Sequence, residues 1–256
     1  MTTNFNSYLF RCSTLGNVVT ASGKLTEGAK AYLSEVFINE VYGVRREAYG
    51  KALDKGIACE EDGFALLNKA IYPGQFVAKI KEVKQNKYII GTPDTIMDWI
   101  VYDIKNAYDL FSFGKAQLTH LYEWQLKGYM MLHKLSRARL FYCINNMPEH
   151  ILLDEERKMF YFQRKWVSME DADYLRACDE LRAAHCYDSM PIEERFKIWD
   201  VELSAQDELK IASCVRAARL YLNELLNEHN DRIAFNKSLL EDMVVSVDKG
   251  VELPTN

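Results

Sequence analysis

The chain lacks most of the features that would point at once to a common chemistry. It has no run of eighteen apolar residues, so no transmembrane helix is expected. Its six cysteines (Cys12, Cys59, Cys143, Cys178, Cys186 and Cys214) form no C-x-x-C pair, which leaves zinc and iron–sulfur sites without their usual ligand spacing. Several sit in apolar surroundings and read as reduced core residues rather than disulfides. The histidines (His120, His133, His150, His185, His229) show no metal-ligand spacing. There is no G-x-S-x-G, which argues against a serine-hydrolase elbow. There is no Walker-type glycine-rich loop, which argues against an ATP-driven role. No basic excess exists either: the formal net charge is −5, which disfavours nonspecific coating of nucleic acid. DNA as a substrate stays open, because a metal-dependent enzyme needs acids for its metal and only a local basic lining for the backbone. The opening Met1-Thr2-Thr3-Asn4-Phe5-Asn6 lacks a basic region followed by an apolar core, so a signal peptide is not expected and a cytoplasmic location follows.

What is present is an ordinary globular balance. Of 256 residues, 48% are hydrophobic and 27% charged, enough for one large domain. Neither a linker rich in Gly, Pro or Ser nor an internal repeat divides the chain. A single domain over 1–256 is therefore expected, with a core at about 8–168 and a helical C-terminal extension at about 169–256.

The element pattern is mixed. Thr26 can cap a helix that runs to about Val41. A second helical segment spans roughly Arg45 to Ala70 and is broken by Pro73-Gly74. Strand-like segments follow near Phe76–Val83, Lys87–Thr92 and Trp99–Ile104. Asn106 to Lys115 reads as a loop, Leu118 to Leu135 as a helix, Arg139 to Asn145 as a strand, and Met159 to Val167 as a further strand. Beyond Ser168 the pattern turns helical: one helix to about Cys186, a short one after Pro191, and a longer one capped by Ser204 and reaching about Asn227. Helices, a small sheet with one crossing helix, then more helices make an α/β or α+β domain.

The most informative residues are Gly91-Thr92-Pro93-Asp94 and Asp103-Ile104-Lys105. Read as a hairpin of Lys87–Ile90 against Trp99–Tyr102, with a turn around Asp98, they bring Asp94 close to Asp103 and Lys105. Asp103 and Lys105 share a face because alternate strand residues point the same way. Two acids and a lysine suit a divalent metal that activates water against a phosphodiester. Lys105 could stabilise developing charge or assist the water, and the Ile104 main-chain carbonyl could add a ligand.

Three further groups stand out. Glu60, Glu61 and Asp62 are consecutive acids on a helix. Glu60 is flanked at helical spacing by Ile57 and Phe64, whereas Glu61 shares its side with Ala58 and Ala65, so spacing does not choose between them. Gln125, beside Leu121, Tyr129 and Leu132, is either a satisfied core amide or a group reaching into the site; Trp124 and Tyr129 read as packing. Arg11 and Ser13, with Thr14 and Asn17 nearby, suit a phosphate, although on spacing alone an ordinary N-terminal cap region accounts for them better.

Taken together and in order, Lys55-Gly56-Ile57-Ala58-Cys59-Glu60, Gly91-Thr92-Pro93-Asp94, Asp103-Ile104-Lys105 and Tyr122-Glu123-Trp124-Gln125-Leu126-Lys127-Gly128-Tyr129 resemble the PD-(D/E)XK nuclease superfamily. Within it they are similar to the lambda-exonuclease-like, YqaJ-type phage recombination nucleases. The matching span is roughly residues 8 to 146. The resemblance implies a restriction-endonuclease-like core, a small mixed central sheet flanked by helices. It also implies a catalytic set of Glu60, Asp94, Asp103, Lys105 and Gln125. Glu60, Asp94, Asp103 and the Ile104 carbonyl would hold one or two Mg²⁺ ions, with Mn²⁺ as a substitute, and Arg11 and Ser13 would hold a terminal DNA phosphate. The implied activity is hydrolysis of linear double-stranded DNA, 5′→3′, in phage-type recombination. Implied partners are DNA ends, a single-strand annealing protein and further copies of the chain in a ring, with no membrane; a phage-encoded protein would act in the host cytoplasm. The chain departs from the pattern in having Asp rather than the commoner Glu at position 103, and no motif covers the region after Ser168. An endonuclease of restriction or repair type, and a non-catalytic DNA-binding or assembly protein on a decayed nuclease fold, are the alternative readings.

Overall fold

A computed structural model describes residues 4–46 and 50–248, with side chains described through residue 241. Two small mixed sheets carry the architecture. The first has the order β1-β3-β2, from β1 (Phe10–Arg11), β2 (Lys84–Gln85) and β3 (Ile89–Gly91). The second has the order β4-β5-β6-β7, from β4 (Thr95–Met97), β5 (Ile100–Asn106), β6 (Arg137–Cys143) and β7 (Phe196–Glu202). β5 and β6 run parallel, and β4 and β7 are antiparallel edges. The parallel step is bridged by α4 (Leu110–Lys115) and α5 (His120–His133), the crossover that a parallel pair requires.

Strand alternation divides the core. Val101 of β5 and Ala138 and Leu140 of β6 join the main cluster, with Leu126 and Met130 of α5, Leu33 of α1 (Glu27–Tyr42) and Val215 and Leu222 of α8 (Ala205–Asp248). Ile100, Tyr102 and Phe141 point the other way and pack against Leu66 and Leu67 of α3 (Glu60–Ile71). Odd-numbered residues of β5 therefore face α5, and even-numbered ones face α3. This puts Asp103 and Lys105 on the α5 side and sends the Ile104 side chain into the α3 cluster.

Several sequence expectations need correction. Asp94 does not sit on a strand paired with β5. Lys87–Thr92 contributes β3, which belongs to the other sheet, and the hairpin partner of β5 is the short β4 that begins just after Asp94. Its turn, Asp98-Trp99, has both residues left-handed (φ 50° and 64°), the geometry of a tight two-residue hairpin loop. Phe76–Val83 forms no strand; Ile80 instead donates its N–H to the Asp94 carbonyl at 2.9 Å. The segment from Arg45 to Ala70 is two helices, α2 (Lys51–Ala58) and α3, broken at Cys59, and its residues 47–49 lie outside the described ones. The supposed loop at Asn106–Lys115 contains α4, started by an Asp109–Ser112 capping box. Met159–Val167 is not a strand: α6 (Glu149–Gln163) occupies most of it, followed by α7 (Ala172–Ala184).

The C-terminal region is built into the core. β7 pairs along its whole length with β6, and Ile211, Val215, Ala218 and Leu222 of α8 are buried in the main cluster. α8 also extends well past Asn227. All six cysteines are unpaired, and all but Cys186 are buried. No described helix is long and apolar enough to cross a membrane.

Candidate active site

The site forms where β4 stops pairing with β5. The last paired residues are Thr95 and Tyr102, so beyond Tyr102 the β4-side edge of β5 is open. Asp94, immediately before β4, fills that edge: its Oδ2 accepts the Ile104 N–H at 2.6 Å. A strand residue presents its N–H and C=O to the same side, so the Ile104 carbonyl faces the same opening. One residue earlier, Asp103 turns to the α5 face and is 2% exposed. Its Oδ1 accepts a hydrogen bond from Gln125 Nε2 at 2.8 Å, and the same amide donates to Tyr129 Oη at 3.0 Å. Its Oδ2 lies 2.8 Å from Lys105 Nζ, an ion pair that leaves this buried oxygen without a well-aligned hydrogen bond.

Gly91 is required by a close approach. A Cβ there would come within 2.8 Å of Cys12 Sγ and 2.9 Å of Tyr129 Cε1. The glycine lets the Gly91–Asp94 segment run against the two-turn 3-10 helix at Cys12–Asn17 and against α5. Gly63 does the same for α3, where a Cβ would meet Ile104 Cγ2 at 2.9 Å. That close packing places Glu60, the first residue of α3, beside the open strand edge.

Glu60, Asp94, Ile104, Lys105 and Asn106 line one cavity of about 570 Å³, walled on its outer side by Leu53 and Ile57 of α2. The structure thus brings Glu60 to the site and turns Glu61 outward to solvent. Yet Glu60 is held differently from the aspartates. Its carboxylate is 44% exposed and pairs with Lys79 at 2.6 Å. Among the described residues, no three Asp, Glu, His or Cys side chains converge tightly enough to make a metal centre by themselves.

Charge crowding marks the sheet side of the cavity. Burial pushes the Asp94 carboxyl up to about 6, the nearby Asp103 charge pushes it the same way, and Lys105 and the Ile104 N–H only partly offset them. Burial works against the Lys105 ammonium, but Asp103 and Asp94 outweigh it and its pKa is raised. The ammonium also sits 5.7 Å from the Tyr122 ring centroid. A hard divalent cation fits this donor set. It would meet the Asp94 carboxylate and the Ile104 carbonyl and relieve the repulsion between Asp94 and Asp103, although Asp103 is buried beside Lys105 and does not itself line the cavity.

Arg11 and Ser13 do not enter this cavity. β1 pairs with β3 so that Arg11 stands opposite Ile90, and both residues line a separate cavity of about 430 Å³ with Gly91, Thr92 and Tyr129. Tyr129 therefore backs the second cavity while it holds Gln125. Trp124 and Tyr129 are buried, as their packing role requires. Sequence reasoning missed Lys79, Asn106, Ser112 and Tyr142. Asn106 was findable as the next residue along β5; its side chain bridges the Cys59 carbonyl and the Asn145 amide. Lys79 carried no signal, since its segment has no regular structure.

No family model matches the chain, and no curated protein does. Solved structures do. A phage-related exonuclease from Haemophilus somnus 129PT superposes with a TM-score of 0.67 at 20% identity, covering 87% of this chain and 97% of that one. An alkaline exonuclease from Laribacter hongkongensis, LHK-Exo, gives 0.56 at 13% identity, covering 90% and 95%. The complex of LHK-Exo with dAMP matches equally well, at 0.56 and 14% identity. The chain has the fold of these exonucleases. Its mixed sheets, flanking helices and helical C-terminal region all belong to that fold.

Proposed function

We propose that the chain is a divalent-metal-dependent deoxyribonuclease that digests linear duplex DNA from its ends. The observation that carries this reading is Asp94, held on the Ile104 N–H, beside the Asp103–Lys105 ion pair at the open edge of β5. It is supported by solved proteins that share the fold over 87–90% of this chain and are described as exonucleases.

In this reading Asp94, Asp103 and the Ile104 carbonyl hold Mg²⁺, or Mn²⁺ in its place, and Glu60 joins them by leaving Lys79. When bound, such an ion polarises the scissile phosphate and lowers the pKa of the attacking water. The protein's own groups do the rest. Lys105, held charged by two aspartates, stands where negative charge grows on the phosphoryl oxygens. Gln125 fixes the Asp103 carboxylate by occupying Oδ1, so that Oδ2 faces Lys105. Arg11 and Ser13 offer a cation and a hydroxyl to a terminal phosphate in the neighbouring cavity. Digestion in the 5′→3′ direction, a role in phage-type recombination, a single-strand annealing partner and a ring of identical chains rest on the family resemblance.

The test is digestion with Mg²⁺ of a duplex labelled at either end, with and without a 5′-phosphate, beside a covalently closed circle. Loss of label from linear DNA with the circle intact is expected. Cleavage of the circle would replace the exonuclease with an endonuclease on the same site. Full activity in Asp94→Ala or Lys105→Ala protein that remains folded would refute the site.

A further inference from the structure

The end of α6 carries chemistry that the cleavage site does not use. Residues 157–167 read Arg-Lys-Met-Phe-Tyr-Phe-Gln-Arg-Lys-Trp-Val, four cations and four aromatic rings in eleven positions of a chain whose net charge is −5. The rings fall into two layers. Phe160 and Trp166 pack edge-on against Tyr174 of α7 at centroid distances of 5.2 and 5.3 Å. Tyr174 is itself buried and donates its hydroxyl to the Glu156 carbonyl at 3.1 Å. These rings form an anchored floor. Tyr161 and Phe162 stand above it, 64% and 82% exposed, and Arg164 ends the helix in the left-handed region at φ 48°. A cavity of about 710 Å³ opens among Phe160, Tyr161, Phe162, Arg164 and Trp166.

The charges around it are unequal. Lys158 is tied to Asp154 and Glu155, and Glu155 also to Lys51. Glu156 is taken by Arg182 at 2.5 Å. Arg157, Arg164 and Lys165 are exposed, and none has a salt bridge among the described residues. The acids of α6 are thus paired and the cations beside the rings are not, while Glu170 and Asp171, just before α7, carry no salt bridge among the described residues. The helix that carries the patch also lines a cavity next to the cleavage site, together with Asp54, Asp154 and Glu155. Ile57 lines the Asp94 cavity and, on its other side, a cavity shared with Ala58, His150 and Lys158. Lys158 lies three and four residues before Tyr161 and Phe162, hence on the same face of α6.

We propose that this patch binds single-stranded nucleic acid, with Tyr161 and Phe162 stacking on bases and Arg157, Arg164 and Lys165 meeting phosphates. The proposal rests on the nuclease reading for its role: the patch would hold a strand after its complement is removed. Rigidly floored, exposed rings beside unpaired cations are what a sequence-tolerant single-strand site needs.

The test is anisotropy of a labelled oligothymidine with the full chain in chelator, so that nothing is hydrolysed, titrated across salt concentrations. Combined Tyr161→Ala and Phe162→Ala should weaken binding about tenfold or more, and Tyr161→Phe should bind like the parent. Combined Arg157→Gln, Arg164→Gln and Lys165→Gln should flatten the slope of log affinity against log salt by about 2, at roughly 0.7 per phosphate contact. If circular dichroism shows that the aromatic variant is unfolded, the salt slope of the charge variant decides. Unchanged affinity and slope overturn the proposal, as does a parent that binds anionic phospholipid vesicles but not the oligonucleotide. A parent that cleaves linear duplex while the patch variants bind like it loses the patch alone. A parent that binds through the patch but never cleaves loses the nuclease reading alone.

Discussion

The two walls of the Asp94 cavity are built on different terms. On the sheet wall, Asp94 is bonded to a strand N–H, and Asp103 is fixed by an amide on one oxygen and an ammonium beside the other. These groups are organised before any ion or substrate arrives. On the helix wall, Glu60 is half exposed and points its charge at Lys79, a residue of a segment without regular structure. Position on the backbone explains the difference. An open strand edge offers fixed donors and a buried face, whereas the first turn of a helix offers solvent and a flexible partner. The sheet wall is therefore the preorganised half of the site, and the helix wall is the half that adjusts.

The strongest way to break that contrast is Lys105→Ala. It leaves two buried carboxylates facing each other with no cation, and it removes the group that the proposed reaction sets against the developing phosphoryl charge. Hydrolysis should fall by about 10²–10³-fold in single-turnover measurements with saturating Mg²⁺. A loss that more metal restores would move Lys105 from the chemistry to ion binding.

Next in size is Gln125→Ala. Its amide spans Asp103 Oδ1 and Tyr129 Oη inside the core, so truncation leaves a buried carboxylate oxygen unpaired. A stability loss of about 1–3 kcal/mol is expected in chemical denaturation, with roughly tenfold slower hydrolysis as Asp103 loses its orientation. A normal rate in a destabilised variant would make Gln125 a structural residue only.

The same contrast explains what could be read in the sequence. The sheet wall was legible because strand alternation makes Asp103 and Lys105 neighbours whatever lies around them. Gln125 sat on an apolar helix face, and only the structure shows that its amide reaches Asp103. Asp94 does lie near Asp103 and Lys105, but not through the expected strand pairing: Lys87–Ile90 and Trp99–Tyr102 are both apolar and β-prone, and periodicity does not say which strands pair. β4, three residues long, is too short to leave a pattern. α6 was misread because Phe160-Tyr161-Phe162 favours strand on local propensity, and packing against α7 overrides it. β7 went unseen because Phe196, Lys197, Ile198 and Trp199 are all half-buried, so an edge strand lost its alternation. The helix wall was legible only as a set of acids, since choosing Glu60 over Glu61 depends on a helix break at Cys59 and a close approach at Gly63.

A third effect concerns stability without metal. The folded-state pKa of Asp94 lies above its ordinary value of 3.8, near 6. Its protonated form is favoured by folding, so this contribution is fully present below about pH 4 and is lost as the pH rises through about 6. Above that the ionised Asp94 carboxylate costs stability. Asp94→Asn should therefore stabilise chelated protein by about 1–3 kcal/mol at pH 8 and by little at pH 4, while abolishing the gain on adding Mg²⁺. Equal effects at both pH values would mean that Asp94 carries no buried charge in the folded chain.

The smallest expected effect tests the helix wall directly. If Glu60 must leave Lys79 to meet an ion, the pair at 2.6 Å opposes ion binding. The pair is partly solvated, so its worth is on the order of 1 kcal/mol or less. Lys79→Ala should then tighten Mg²⁺ binding by roughly two- to fivefold in calorimetric titration. Glu60→Gln should weaken binding, and adding Lys79→Ala to it should change nothing further. That non-additivity distinguishes release of Glu60 from a general loss of positive charge near the cavity, which would act equally in both backgrounds. Tightening in both would leave Glu60 outside the ion's reach and confine ion binding to the sheet wall.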